Sequence, residues 1–340
     1  MKQFKVAVVG ATGAVGREMI KMLESRKFPV ESIKFLASER SAGKTLTFNG
    51  KEYPVDVLTK DGGKGVDIAL YSAGASVSKE FAPYFAADGC FVIDNSSAWR
   101  MDKEIPLVVP EVNPDDLKKD KKLIANPNCS TIQMVAALKP LHNYAKIERV
   151  IVSTYQAVSG AGQKGISELE EQSKAWAEGK NMPAASKFQY QIAFNLIPQI
   201  DVFADDDYTK EELKMTNETK KIMGDDSILV SATCVRVPVF RSHSESVWIE
   251  TQKELTPQKA KELLSKAEGI EVIDDIANKK YPMPLCAQDK QITFVGRIRK
   301  DISNPTGKGL TFWVVSDNLL KGAALNAVQI AEKLVELQIV

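Results

Sequence analysis

Apolar residues in the first third of the chain come in short β-rich runs, KVAVV, IKFLA, DIALYS and FVID, separated by stretches with helical spacing. Val15, Met19 and Leu23 fall on one face of a helix, and a second helical pattern covers Ser76 to Ala87. Strands alternating with helices predict βαβ units and a parallel sheet. After Cys129 the rhythm changes to longer strands, RVIVSTYQAV, ILVSATCVRV, SVWIETQ, ITFVGRIRK and LTFWVVS, separated by charged helices. Neighbouring long strands predict a largely antiparallel sheet, with one face under helices and the other available for subunit contact. The last pattern, LLKGAALNAVQIAEKLVEL, aligns Leu325, Val328, Ile330, Leu334 and Leu337 on roughly one helical face, and its position permits a return to the first domain. The expected architecture is an α/β, Rossmann-type domain over residues 1–128 and an α+β domain over 129–319, with 320–340 returning to the first.

Composition narrows the function. A chain of 340 residues is long enough for about two domains. Its 45 basic and 44 acidic residues leave a net charge of +1, no field for a phosphate polymer or a membrane surface. Four cysteines, Cys90, Cys129, Cys234 and Cys286, form neither a C-x-x-C pair nor a Cys/His zinc cluster, and a reducing cytoplasm suits them. The N-terminal apolar run is cut by glycines and reads as a first strand rather than a signal peptide. No segment approaches the roughly 18 uninterrupted apolar residues of a membrane span.

GATGAVG, residues Gly10 to Gly16, follows the KVAVV strand and opens a helix. The spacing is a variant of the dinucleotide fingerprint, in which glycines permit a tight turn and close approach of a pyrophosphate to a helix N-terminus. Gly10, Thr12, Gly13, Ala14 and Val15 are the candidate contacts; a strand-to-helix turn without a ligand is the plainer alternative. At the end of the second strand, Ser38-Glu39-Arg40-Ser41 supplies hydroxyls and a guanidinium for a ribose 2′-phosphate, which favours NADP over NAD. Glu39, if it points into the pocket, opposes that phosphate.

In IANPNCSTIQM, Cys129 stands at the start of a helical pattern through Ile132, Val135 and Leu138, which Pro140 is expected to end. A helix N-terminus lowers a thiol's pKa and offers amide donors to an oxyanion. Cysteine also packs as a small hydrophobe, the better reading for Cys90 and Cys234 in their strand patterns. Imidazole is the natural acid/base partner, and there are only two histidines. His142 lies at the far end of the same helix, so elimination favours His243 in RSHSE, a polar break between strands.

GATGAVG, NPNCSTIQM, TYQAVSGAG, EELK, VRVPVFRSHSE and DNLLKGAA, in order over nearly the whole chain, resemble the aspartate-β-semialdehyde dehydrogenases of bacterial type. The resemblance implies a second domain like that of glyceraldehyde-3-phosphate dehydrogenase. It also implies reversible, NADP-linked, phosphorylating oxidation of L-aspartate 4-semialdehyde to L-4-aspartyl phosphate, run reductively towards lysine (through diaminopimelate), threonine and methionine. Cys129 then matches the nucleophile that forms a thiohemiacetal and thioester, His243 the acid/base and Gln156 the residue that orients the substrate. Arg236 matches the partner of the substrate carboxylate, with Arg241 as a rival guanidinium. Glu211 matches the ammonium contact, and Lys214 and Arg100 the phosphate contacts. Thr12 to Val15, Arg40, Ser41, Ser159, Gly160 and Asn318 match positions that touch NADP. The family further implies a homodimer through the second domain's sheet. N-acetyl-γ-glutamyl-phosphate reductase is the competing enzyme, in which Glu211 has no ammonium to meet; a non-catalytic dinucleotide sensor is the competing class.

Overall fold

The computed structural model describes residues 2–204 and 206–340, and the chain divides into two compact units, Met1–Asn128 with Ala323–Val340, and Cys129–Gly322. The first is built on β1 (Phe4–Val9), β2 (Val30–Ala37), β3 (Thr45–Phe48), β4 (Lys51–Val57), β5 (Ile68–Tyr71), β6 (Phe91–Asp94) and β7 (Leu123–Ala125). Their order is β3-β4-β2-β1-β5-β6-β7, parallel throughout except for the β3–β4 hairpin. Every residue of β5 and β6 is buried, as expected for parallel strands covered on both faces. Helices α1 (Ala14–Ser25) and α2 (Ala75–Ala87) connect the strands, and Phe85 of α2 meets Tyr71 edge-on with ring centroids 5.3 Å apart. The strand order reverses at β1, which opens a crevice at the carboxyl ends of its neighbours.

The second unit holds β8 (Ile147–Gln156), β9 (Leu229–Arg236), β10 (His243–Thr251), β11 (Ile270–Val272), β12 (Thr293–Lys300) and β13 (Gly309–Ser316), in the order β11-β12-β13-β10-β8-β9. The three central pairings are antiparallel, but both outer ones, β11–β12 and β8–β9, are parallel, so the sheet is mixed. The cause is connectivity. Parallel neighbours need a long crossover, and β8 reaches β9 only through α4 (Gln163–Ala177) and α5 (Lys210–Met223). The opposite sheet face presents Arg149, Ile151 and Ser153 of β8 and Trp248 and Glu250 of β10, which line a hollow of about 450 Å³.

Helix α3 (Cys129–Ala145) packs on that sheet together with α6 (Pro257–Ser265). It does not stop at Pro140, contrary to the sequence expectation. Ile132, Val135 and Leu138 before the proline and Leu141 and Ala145 after it are all fully buried. Proline inside a helix costs about 3 kcal/mol, and burial of a single leucine-sized side chain offsets about 1.5–3 kcal/mol, so a continuous apolar face carries the helix through. The short α7 (Pro284–Ala287) follows β11, and α8 (Leu325–Glu336) ends the chain. Within the first unit α8 lies against α1, where Arg26 grips Glu332 through two bonds of 2.7 Å.

Candidate active site

The crevice of the first unit is a cleft of about 660 Å³ whose lining includes Gly10, Thr12, Gly13, Ser38, Glu39 and Arg40. Two glycines are dictated by space. Gly10 has φ +79°, and a Cβ there would stand 2.4 Å from the Ser72 carbonyl oxygen; at Gly16 a Cβ would stand 2.3 Å from the Gly10 carbonyl oxygen. Gly13 is the N-cap of α1, whose first residues are Ala14 and Val15. The loop is thereby pinched against the sheet while the first amides of α1 are left for an anion. A short turn over Glu39–Ser41 follows β2, and Ser41 Oγ lies 3.1 Å from Thr12 Oγ1, joining this turn to the glycine loop. Glu39 does line the cleft beside Arg40. Arg100, in the same unit, donates from Nη2 to the Asn95 carbonyl at 3.0 Å and is 8% exposed.

In the second unit the predicted chemistry collects on one transverse row of the sheet. Register pairs Thr293 with Ser316, Ser316 with His243, and Gln156 with Arg236; β10 lies beside β8 with Ser244 opposite Tyr155. His243, Gln156 and Arg236 are all buried, on the face that carries α3. A separation of seven along a straight strand would put Arg236 and His243 on opposite faces. Here the chain leaves β9 after Arg236 and re-enters the sheet at His243, with Ser242 at φ +77° completing the turn. His243 is therefore a fully buried strand residue rather than an exposed turn histidine.

A single residue outside the predicted set joins two of these side chains. Ala157 donates its N–H to His243 Nδ1 at 3.0 Å and accepts at its carbonyl from Arg236 Nη1 at 2.6 Å. The first bond fixes the proton of the neutral ring on Nε2. A ring that gained a second proton would have to release Ala157, because two N–H groups cannot point at each other. Burial, reinforced by the Arg236 charge, holds the imidazole well below its ordinary pKa. Burial also lowers Arg236, against the pull of Glu211 and Cys129. A Cβ at Gly160 would come within 3.0 Å of Arg236 Nη1 and 3.2 Å of His243 Nε2, so the glycine keeps both groups uncovered on that side.

Cys129 is the first residue of α3 and is partly exposed. Its neighbour Ser130 accepts from Gln156 Nε2 at 2.6 Å, and Gln156 also donates to Glu211 Oε1 at 3.1 Å. Glu211 reaches this point because Thr209 and Glu212 form a capping box that starts α5 one residue earlier. Glu211 is buried, while Lys214, one turn on, bridges Glu211 Oε2 at 3.2 Å and Asp201 Oδ2 at 2.8 Å. The sequence left two guanidinium candidates. Arg241 is occupied elsewhere: its Nε donates to buried Asp317 Oδ2 at 2.6 Å and its Nη1 lies 3.0 Å from Asp289 Oδ1. Asn318 donates to Ser159 Oγ at 3.0 Å and accepts from Ser242 N at 2.9 Å, which ties the loop after β8 to the turn before His243.

The other cysteines differ in kind. Burial pushes the Cys90 and Cys234 thiols far up, and Cys286 donates to the Met283 carbonyl at 2.9 Å. Cys90 precedes β6 rather than belonging to it, while Cys234 lies within β9. Among the described residues there is no cluster able to hold a metal ion and no helix long and apolar enough to cross a membrane. Ala157 was missed in the sequence because its contribution comes from backbone groups alone.

Residues 5–120 match the family model described as semialdehyde dehydrogenase, NAD binding domain, and residues 138–321 that of semialdehyde dehydrogenase, dimerisation domain. The chain is 62% identical to aspartate-semialdehyde dehydrogenase of Aquifex aeolicus and 54% identical to that of Bacillus subtilis, with 98% of each chain covered in both cases. The crystal structure of Vibrio cholerae aspartate semialdehyde dehydrogenase II complexed with ASA superposes with a TM-score of 0.95 at 49% identity, over 99% of both chains. The Candida albicans enzyme with NADP gives 0.77 at 26% identity over the full length of both. At these identities over nearly the whole chain, and with both family models matched, the chain belongs to the aspartate-semialdehyde dehydrogenase family, oxidoreductases of aspartate-family amino-acid biosynthesis.

Proposed function

We propose that this enzyme works by covalent catalysis on Cys129, with NADP as its cofactor and inorganic phosphate as co-substrate. The transverse row carries the reading: it brings a hydrogen-bond donor, an amide and a guanidinium beneath the helix that begins at Cys129. The thiolate adds to the aldehyde carbon of L-aspartate 4-semialdehyde, and the helix N-terminus favours the negative charge on sulfur. With Ala157 released and the neutral ring carrying its proton on Nδ1, His243 Nε2 takes the thiol proton, gives it to the resulting oxygen and takes it back as hydride leaves. Gln156, held by Ser130 and Glu211, orients the substrate.

Opposite charges sort the ends of the substrate. Arg236 suits the carboxylate as a two-pronged partner, Glu211 the ammonium, and Lys214 with Arg100 the phosphate that attacks the acyl group on sulfur. In the first unit, the glycine loop with Thr12, Gly13, Ala14 and Val15 suits the pyrophosphate, and Ser38, Arg40 and Ser41 suit the 2′-phosphate. Ser159, Gly160 and Asn318, in the second unit, suit further contacts with NADP. The nicotinamide, when bound, takes up hydride in the oxidative direction and supplies it in the reductive one. The open face of the second sheet suits a second copy of the chain, giving a homodimer, and four cysteines outside any disulfide suit the cytoplasm.

The test is phosphate-dependent reduction of NADP, and separately of NAD, with aspartate semialdehyde, alongside the Cys129→Ala variant. Turnover with aspartate semialdehyde and NADP that vanishes in the variant is expected. Full activity of Cys129→Ala would overturn the covalent route.

A further inference from the structure

Two residues beyond His243 on the same face of β10, Glu245 is completely buried. Neither of its carboxyl oxygens has a partner of good hydrogen-bond geometry, and the same holds for Thr154 Oγ1, across the β8–β10 pairing, and Gln133 Oε1 on α3. Gln133 is the polar side chain that faces the carboxyl. It lies one turn beyond Cys129 and also donates, at 3.4 Å, to the His243 carbonyl oxygen. The remaining titratable groups nearby are His243 on β10 and Cys234 on β9, the latter aligned with Thr154. None of these carries a positive charge in the buried state, so a carboxylate here would be desolvated without a counter-ion, at a cost of several kcal/mol. A carboxylic acid has a proton to give, and orphaned acceptors surround it.

We propose that Glu245 is a neutral carboxylic acid in the working enzyme and a positioning residue. Its O–H donates to Gln133 and so holds the second turn of α3 against the start of β10, keeping Cys129 and His243 in register. Burial drives the Glu245 pKa well above the ordinary carboxyl range against a smaller lowering from Gln133, and the balance agrees with that state. The positioning role rests on the reading of Cys129 and His243 as the reacting pair; the protonation state does not.

Infrared difference spectroscopy of the whole enzyme, wild type minus Glu245→Gln at pH 8, tests the protonation state. The expected result is a carbonyl band of a protonated carboxyl group; carboxylate bands in its place overturn the proposal. Positioning is tested by rescue. Glu245→Gln keeps a neutral donor and should retain kcat and the Cys129 alkylation rate within about threefold, whereas Glu245→Leu should lower both about tenfold at unchanged KM, the effect of losing one buried hydrogen bond. Equal behaviour of the two variants overturns the role. If Glu245→Leu does not fold, Gln133→Leu removes the same bond from the helix side and is read identically. An active Cys129→Ala enzyme would defeat the covalent reading and leave the infrared result standing.

Discussion

Gly322 lies so close to the head of α3 that a Cβ added to it would stand 2.8 Å from Cys129 Cβ. It belongs to the wide turn, Leu320–Ala324, that precedes α8, and only a residue without a side chain lets that turn pass the cysteine. Gly322→Ala must push Cys129 aside. Since a misplacement of about 1 Å costs on the order of 100-fold in rate, kcat should fall about 10- to 100-fold. Cys129 should react more slowly with iodoacetamide than in the wild type, where it is expected to be the fastest-labelled thiol. Nucleotide affinity measured by fluorescence titration should be unchanged. Wild-type kcat in Gly322→Ala would mean the contact opens freely.

His243 should remain neutral well below pH 6.5, because burial and Arg236 depress its pKa and Ala157 N–H occupies Nδ1. The sign for stability follows. The unfolded chain takes up a proton near pH 6.5 while the folded one does not, so the contribution of His243 is fully present above that pH and is lost as pH falls towards the folded pKa. Proton NMR of the ring, assigned with His142→Gln, should show no titration of His243 through pH 6.5. Denaturant melts of the wild type and His243→Gln should converge as pH is lowered. A ring that titrates at 6.5 would contradict the buried geometry.

Arg236 and Arg241 should separate cleanly. Arg236→Lys loses paired hydrogen bonds to a carboxylate, worth about 1.5–3 kcal/mol, and should raise KM for aspartate semialdehyde roughly 10- to 150-fold. Arg241→Gln instead takes the guanidinium from Asp317, which is fully buried and keeps only backbone donors. Removing one partner of a buried ion pair costs about 3–5 kcal/mol, so this variant should melt at a lower temperature with KM little changed. The two effects exchanged would reverse the assignment.

Cofactor choice should turn on Arg40 and Glu39, which line the same cleft. Arg40→Ala should weaken NADP about tenfold or more and leave NAD alone, since a charge-assisted bond to phosphate contributes about 1.5–3 kcal/mol. Glu39→Gln should tighten NADP. Binding titrations with both nucleotides decide it, and an Arg40 effect equal for the two would remove the 2′-phosphate from its role.

Much of this was legible in the sequence because it follows local rules. The glycine loop needs its strand and helix, Cys129 needs a helix start, the unbroken apolar run before Asp94 needs only a strand covered on both faces, and alternation along RVIVSTYQ needs only period two. What the sequence concealed depends on neighbours remote in the chain. Whether Pro140 ends α3 depends on the apolar floor beneath Leu141 and Ala145. The parallel outer pairings depend on which end of the sheet each crossover returns to. Arg241 could not be distinguished from Arg236 until Asp317 was seen beside it. Glu245 ends RSHSE, which reads as a polar break between strands, and only the helix above it shows that it is buried.

The transverse row has a consequence for how these enzymes vary. His243, Gln156 and Arg236 take their places from hydrogen-bond register across β10, β8 and β9, so the chain lengths between those strands are free to change. Extra residues in the stretch between α4 and α5 would leave the three side chains where they are. Deleting one residue inside β10 would turn the histidine to the opposite face and empty the site without unfolding the sheet. Insertions and deletions among homologues should therefore gather in the crossovers and stop at the strand boundaries.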